Sequence, residues 1–70
     1  MKRRDLERRL AKRAAELGLS WYELRTVGGH DIWSLDGLRL ALPRHNEIAE
    51  GTARRILRDS EEKLGKDWWR

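Results

Sequence analysis

The stretch that decides the fold is residues 27–45, which reads VGGHDIWSLDGLRLALPRH. Near its middle, Asp36-Gly37 is a strong signal for a two-residue β-hairpin, because a type I′ turn needs positive φ at both central residues. This turn sets a register in which three pairs of residues oppose each other: Leu35 and Leu38, Trp33 and Leu40, and His30 and Pro43. The sequence therefore predicts two paired strands with a histidine at their open end.

The glycine pair just upstream, Gly28-Gly29, predicts a second hairpin by the same reasoning. Its register opposes Val27 and His30, Arg25 and Ile32, and Leu24 and Trp33. The three strands form a meander in which His30, Arg44 and His45 gather at one end. Directly opposed side chains lie about 4.5–5.5 Å apart at Cβ, so residues at this end are close enough to act together.

Strand alternation divides the predicted sheet into two faces. The mainly apolar face contains Tyr22, Leu24, Thr26, Asp31, Trp33, Leu35, Leu38, Leu40 and Leu42. The half-polar face contains Trp21, Glu23, Arg25, Val27, His30, Ile32, Ser34, Arg39 and Ala41. We expect helices to cover the first face and water or a ligand to meet the second.

Apolar residues at helical spacing predict one helix on each side of the meander. The first covers about residues 2–17 and the second about residues 49–64. Their apolar stripes are Leu6, Leu10, Ala14 and Leu17, and Ala53, Ile56, Leu57 and Leu64. Gly18 and Gly65 are placed to end them. The prediction is a single α+β domain spanning residues 1–70, ordered α-β-β-β-α, with a three-stranded antiparallel sheet and two helices on one face.

Composition narrows the class of protein. A chain of 70 residues without cysteine makes one small domain with neither disulfides nor a Cys-based metal site. No apolar run approaches the ~20 residues of a membrane span, so we expect no membrane partner. The absence of cysteine fits a cytoplasmic setting. The formal net charge of +4 suggests a polyanionic partner.

The positive charge is concentrated on the first helix. Arg4, Arg8 and Lys12 are spaced four apart, and like charges at that spacing cost about 0.2–0.5 kcal/mol per pair. A partner that neutralises this stripe would remove the cost, so we predict that these three residues contact a phosphate backbone. A solvated basic face is the alternative.

The tail carries Trp68 and Trp69 side by side. Adjacent tryptophans at a chain end predict a segment that folds back over the core. Docking on another protein is the alternative, because tryptophan is enriched among interface anchors.

Histidine is the residue type in this sequence best suited to catalysis. Two histidines fifteen residues apart, without clustered carboxylates, do not predict a metal site. Acid–base catalysis by His30 fits RNA cleavage by the neighbouring 2′-OH, because the substrate supplies its own nucleophile. Arg25 and Arg44 are the expected phosphate contacts. His45 is either a second proton carrier or an ordinary loop residue, and a surface histidine without a catalytic role is the general alternative.

Four runs of residues carry a resemblance to a known protein family: 28–33 (GGHDIW), 36–37 (DG), 42–48 (LPRHNEI) and 50–57 (EGTARRIL). In order and spacing they resemble the HicA family of bacterial toxins over roughly residues 3–58. The resemblance implies a double-stranded-RNA-binding-domain-like fold and a metal-independent mRNA interferase. It places the family's catalytic histidine on His30 and implies a cognate HicB-like antitoxin as partner.

Three functions follow from these expectations. The first is a toxin endoribonuclease that cleaves mRNA without a cofactor and is a monomer when alone. The second is a non-catalytic basic RNA-binding module, which would keep the basic helix but not depend on His30. The third is an interaction domain whose basic surface meets an acidic protein.

Overall fold

The chain folds in the order that its turns and apolar stripes predict. A computed structural model describes all 70 residues. Its elements are α1 (Arg3–Glu16), β1 (Trp21–Val27), β2 (His30–Leu35), β3 (Leu38–Pro43), α2 (Glu50–Asp59) and α3 (Glu61–Leu64). The strands form one antiparallel sheet in the order β1-β2-β3. The predicted α+β class and its α-β-β-β-α order are confirmed.

The Asp36-Gly37 turn has the geometry that its residues predict. Both residues have positive φ, 49° and 91°, as a type I′ turn requires. The predicted pairing of β2 with β3 is confirmed at all three positions: Leu35 with Leu38, Trp33 with Leu40, and His30 with Pro43. Local turn chemistry was therefore sufficient to set this half of the sheet.

The pairing of β1 with β2 follows the prediction only near the turn. Val27 pairs with His30 and Arg25 with Ile32, but the register then shifts at a β-bulge between Glu23 and Arg25. Glu23, rather than Leu24, consequently opposes Trp33. The prediction that Leu24 opposes Trp33 is wrong, because one extra residue in the bulged strand moves every earlier side chain to the other face.

The bulge exchanges the roles of the residues at the start of β1. Trp21 turns to the helix side of the sheet, where its ring stacks on Trp33 with centroids 4.6 Å apart. Tyr22 and Leu24, predicted to be covered, are exposed. The exchange buries a large indole against another aromatic ring, which favours the bulged register over the regular one.

The helices cover one face of the sheet, as predicted. The core they form with it comprises Leu6, Leu10, Ala14, Leu35, Leu40, Leu42, Ile48, Ala53, Ile56, Leu57 and Leu64. Leu17 is the exception among the predicted stripe residues, because it is the C-cap of α1 and is exposed. Gly18 ends the helix with φ of 69°, while Leu19 N–H donates to Ala14 O at 2.8 Å. None of the helices has the length and apolar character that crossing a membrane requires.

The second predicted helix is interrupted. It was expected to be continuous over about residues 49–64, but it breaks at Ser60 into α2 and α3. The buried Ser60 hydroxyl donates to Leu57 O at 2.6 Å and accepts from Trp68 Nε1 at 2.9 Å. A serine side chain that bonds to the preceding turn competes with helical geometry, which accounts for the break.

The C-terminal tail folds back on the domain. Trp68 and Trp69 pack against the core, and Trp69 Nε1 donates to Glu61 Oε2 at 2.7 Å. Arg9 of α1 donates to Trp69 O at 2.6 Å. The prediction that the tail covers the core is confirmed.

Deleting residues 66–70 should therefore lower the melting temperature of the isolated protein by several degrees. The deletion removes two half-buried indoles and their hydrogen bonds, and ~1 kcal/mol corresponds to a shift of ~4–8 °C in a domain of this size. Thermal unfolding followed by circular dichroism measures the effect. Lys66→Ala is the control, because Lys66 is exposed. An unchanged melting temperature after deletion would show that the tail adds nothing to the fold.

Candidate functional site

His30 lies on the side of the sheet that the helices leave uncovered. It is the exposed first residue of β2, opposite Val27 on one neighbouring strand and Pro43 on the other. By register, the open face consists of Tyr22, Arg25, Val27, His30, Ile32, Ser34, Arg39, Ala41 and Pro43. We call this set the open face.

The open face carries only basic charge. Its charged residues are Arg25 and Arg39, both exposed, together with the titratable His30. The carboxylates of the sheet, Glu23 and Asp31, belong to the helix side. Because Arg25 opposes Ile32, it is the diagonal neighbour of His30, at a typical separation of about 7–8 Å. The predicted proximity of Arg25 to His30 agrees with the observed register.

Directly behind His30, a buried carboxylate organises three polar partners. Asp31 accepts a hydrogen bond from Thr26 Oγ1 at 2.7 Å and another from the guanidinium of Arg3. Arg44 Nε lies 3.5 Å from Asp31 Oδ1. Arg3 Nε donates to Glu7 Oε1 at 3.1 Å. We call these five residues the Asp31 network.

Backbone hydrogen bonds bring the members of the Asp31 network together from distant parts of the chain. Arg44 N–H donates to Gly29 O at 2.9 Å, which holds the end of β3 beside the glycine turn. Arg3 N–H donates to Asn46 O at 2.9 Å, which holds the start of α1 against the loop after β3. Three segments are thereby tied together immediately next to His30.

The electrostatics of the network favour its charged form. Hydrogen bonds from Thr26 and then Arg3 lower the pKa of Asp31 below its ordinary value of 3.8. Burial opposes the charge on Arg3, but its hydrogen bonds to Asp31 and Glu7 outweigh that effect and raise the Arg3 pKa. The ion pair therefore stays charged across neutral pH.

Acid should weaken the fold through Asp31. Because folding lowers this pKa, the carboxylate contributes stability that is fully present above its ordinary pKa of 3.8 and is lost as the pH falls below it. We expect Asp31→Asn to melt at a lower temperature than the wild type at pH 7, since the amide cannot match the charge of Arg3. The difference between the two melting temperatures should narrow below about pH 4 as Asp31 protonates. Melting curves of both proteins across pH measure it, and a gap independent of pH would contradict this role.

The other predicted contact residues lie on different surfaces. Arg4, Arg8 and Lys12 are exposed on the side of α1 that points away from the sheet. Arg44 is 59% exposed at the rim, where it pairs with Asp31. His45 is exposed in the loop after β3. The structure thus places Arg25 on the same face as His30, Arg44 at its edge, and the basic stripe on the opposite layer.

The start of α1 and the loop after β3 border a polar depression. Its volume is about 490 Å³, and it is lined by Lys2, Arg3, Arg4, Glu7 and Asn46, without an apolar side chain. No three His, Asp or Glu side chains form a cluster that could hold a metal ion. This end of the molecule offers the exposed imidazoles of His30 and His45 among guanidinium groups.

Sequence reasoning missed Asp31 and Arg3 as parts of the site. Alternation did place Asp31 on the covered face, and a carboxylate there needs a cationic partner because charged groups are almost never buried unpaired. That pattern indicates that Asp31 has a cationic partner, but it does not identify which residue the partner is. Arg3 is 28 residues away in the chain and meets Asp31 only after α1 docks.

No protein-family model, curated protein or solved structure matches this chain.

Proposed function

We propose that this protein is an endoribonuclease that cleaves mRNA, with His30 as the general acid or base. The observation that carries the proposal is the exposed imidazole on a sheet face whose only other charges are arginines. Such a face attracts a phosphodiester and offers it an imidazole that can carry a proton. The residue runs that resemble the HicA family support the same activity.

The chemistry requires only proton transfer and charge stabilisation from the protein. The substrate's 2′-oxygen attacks the adjacent phosphorus, the bond from phosphorus to the 5′-oxygen breaks, and the products are a 2′,3′-cyclic phosphate and a 5′-hydroxyl. His30 takes the proton from the 2′-OH or delivers one to the leaving 5′-oxygen, and water or His45 handles the other. Arg25 and Arg44 would stabilise the charge on the phosphorane.

The resemblance also supports the biological setting that we propose. The domain of residues 1–70 would act as a HicA-like toxin in the cytoplasm, as a monomer when alone, and without a cofactor. A cognate HicB-like antitoxin would bind it and block the cleavage of mRNA. A contribution to the stress response of the cell would follow from such control.

Incubating RNA with the full-length protein in EDTA tests the proposal directly. We expect cleavage to continue in the chelator, with products that end in a 2′,3′-cyclic phosphate. Loss of activity in EDTA that added Mg²⁺ restores would contradict a mechanism based on protein side chains alone.

The second candidate function is a basic RNA-binding module without catalysis. The observation that favours it is the exposed stripe of Arg4, Arg8 and Lys12, in which only Arg8 has a carboxylate within reach, Asp5 at 4.0 Å. A stripe of cations with so little compensating acid attracts phosphates whatever the activity of His30. The two candidates differ in their dependence on His30.

Neutralising Arg4, Arg8 and Lys12 together should weaken RNA binding and its dependence on salt. Each lost phosphate contact makes the log–log salt slope shallower by about 0.7–0.9. Fluorescence anisotropy at several salt concentrations measures the slope for the wild type and the triple alanine variant. Unchanged affinity and slope would mean that the stripe is a solvated face and makes no contact with RNA.

A further inference from the structure

The open face combines exposed apolar side chains with cations. The chain has four exposed large apolar residues, and three of them lie on β1: Tyr22 at 52%, Leu24 at 42% and Val27 at 51%. Tyr22 and Val27 belong to the open face by register, and Leu24 is the extra residue of the bulge. Single exposed apolar residues are common on protein surfaces, so the ligand must be argued from these residues together with the charges beside them.

The charges around these residues identify the kind of ligand. Arg25 and Arg39 flank the apolar positions on β1 and β3, and the open face has no carboxylate. An acid-free surface of this composition complements a polyanion that also has apolar faces. Single-stranded nucleic acid has both properties, because its bases stack on aromatic rings while its phosphates meet arginines.

The size and shape of the face favour a single strand over a duplex. Three strands about 4.8 Å apart make a surface about 10 Å wide, and six residues make it about 20 Å long. Sheets of comparable size that bind RNA stack two or three bases, whereas duplex-binding domains read shape over about 16 base pairs. Tyr22 opposes Ser34, four residues along β2 from His30, or about 13 Å. A short single strand can span that distance along the sheet.

We propose that the open face binds single-stranded RNA, with Tyr22 as a stacking platform, Val27 as an apolar contact, and Arg25 and Arg39 on the phosphates. A strand bound through these contacts would present a phosphodiester to His30 at the end of the sheet. The delivery to His30 rests on the proposed ribonuclease function, whereas the binding of the strand does not. Single strands also leave the 2′-oxygen free to line up behind the phosphorus, which stacking in a duplex opposes.

The test uses the full-length protein and an oligonucleotide that it cannot cleave. The probe is a fluorescein-labelled RNA with every 2′-oxygen methylated, either single-stranded or annealed to its complement. Fluorescence anisotropy at several salt concentrations gives the Kd and the salt slope for each form. Because methylation removes the nucleophile, binding is measured independently of whether the protein is a ribonuclease.

Three variants separate stacking from charge. Tyr22→Ala should weaken single-strand binding about tenfold or more with an unchanged salt slope, and Tyr22→Phe should retain it. Arg39→Ala should make the slope shallower by about 0.7. Arg55→Ala is the matched control, because it removes an exposed arginine from α2 rather than from the sheet. Duplex binding should be weaker than single-strand binding and insensitive to Tyr22→Ala.

The proposal is overturned if Tyr22→Ala and Arg39→Ala bind the single strand as the wild type does, with circular dichroism showing both folded. It is also overturned if the duplex binds as tightly and responds equally to these variants. In either case a protein partner becomes the better occupant of the open face. Loss of binding in the sheet variants, in a wild type that cleaves no RNA, would support the binding site and contradict only the ribonuclease function.

Discussion

Replacing His30 with alanine should slow RNA cleavage by about 10²–10⁴-fold, the usual contribution of a positioned general acid or base. The fold should survive, because His30 is exposed and substitutions at exposed positions usually change stability by less than about 0.5 kcal/mol. RNA binding should also survive, since the arginines of the open face and the basic stripe of α1 remain. Intact fold and binding with lost cleavage separates the ribonuclease from a binding module.

Cleavage of a labelled RNA by the full-length protein in EDTA measures this effect, with circular dichroism and anisotropy on the same preparations. Arg55→Ala is the matched control, because it truncates an exposed side chain on α2, away from the open face and from both imidazoles. A His30→Ala protein that cleaves at the wild-type rate would remove His30 from the mechanism. If it fails to fold, His30 has a structural role, which its exposure argues against.

Replacing Leu42 with alanine should unfold a large fraction of the protein. Leu42 is 0% exposed at the centre of the core, and such substitutions cost about 2–5 kcal/mol. A single core in a domain of this size supplies only ~3–5 kcal/mol in total. One buried leucine is therefore comparable to the whole stability of the protein.

Leu24→Ala is the matched control for Leu42→Ala, because it makes the same chemical change at a leucine that is 42% exposed. It should cost less than about 0.5 kcal/mol. Urea unfolding of both variants gives the two free energies. The comparison also tests the bulge, because a regular register would place Leu24 against Trp33 and make it part of the covered face. Equal, large losses in both variants would mean that β1 pairs without the bulge.

Short-range signals in the sequence were enough for the secondary structure and for half of the sheet. The Asp36-Gly37 turn specifies its own conformation, so the pairing of β2 with β3 and the position of His30 opposite Pro43 follow from local chemistry. The apolar stripes likewise identify the helices and the face they bury. These features depend on residues that are neighbours in the chain or in one hairpin.

Tertiary packing decided the remainder. The bulge in β1 turns Trp21 towards Trp33, on which its ring stacks, and no local signal distinguishes the bulged strand from a regular one. The break at Ser60 depends on Leu57 O and on the tail that returns to it. Each involves a choice between two locally acceptable conformations, and contacts from elsewhere in the chain decide it.

The same division applies to the candidate site. Strand alternation and the position of the turn put His30 at the exposed end of a strand with Arg25 beside it on the same face, so this part of the site could be predicted from the residues alone. The contact of Arg3 with Asp31 behind the histidine forms only when α1 docks, so it depends on packing between distant segments. Packing also puts Tyr22 on the open face, because one bulged residue reverses the alternation of everything before it.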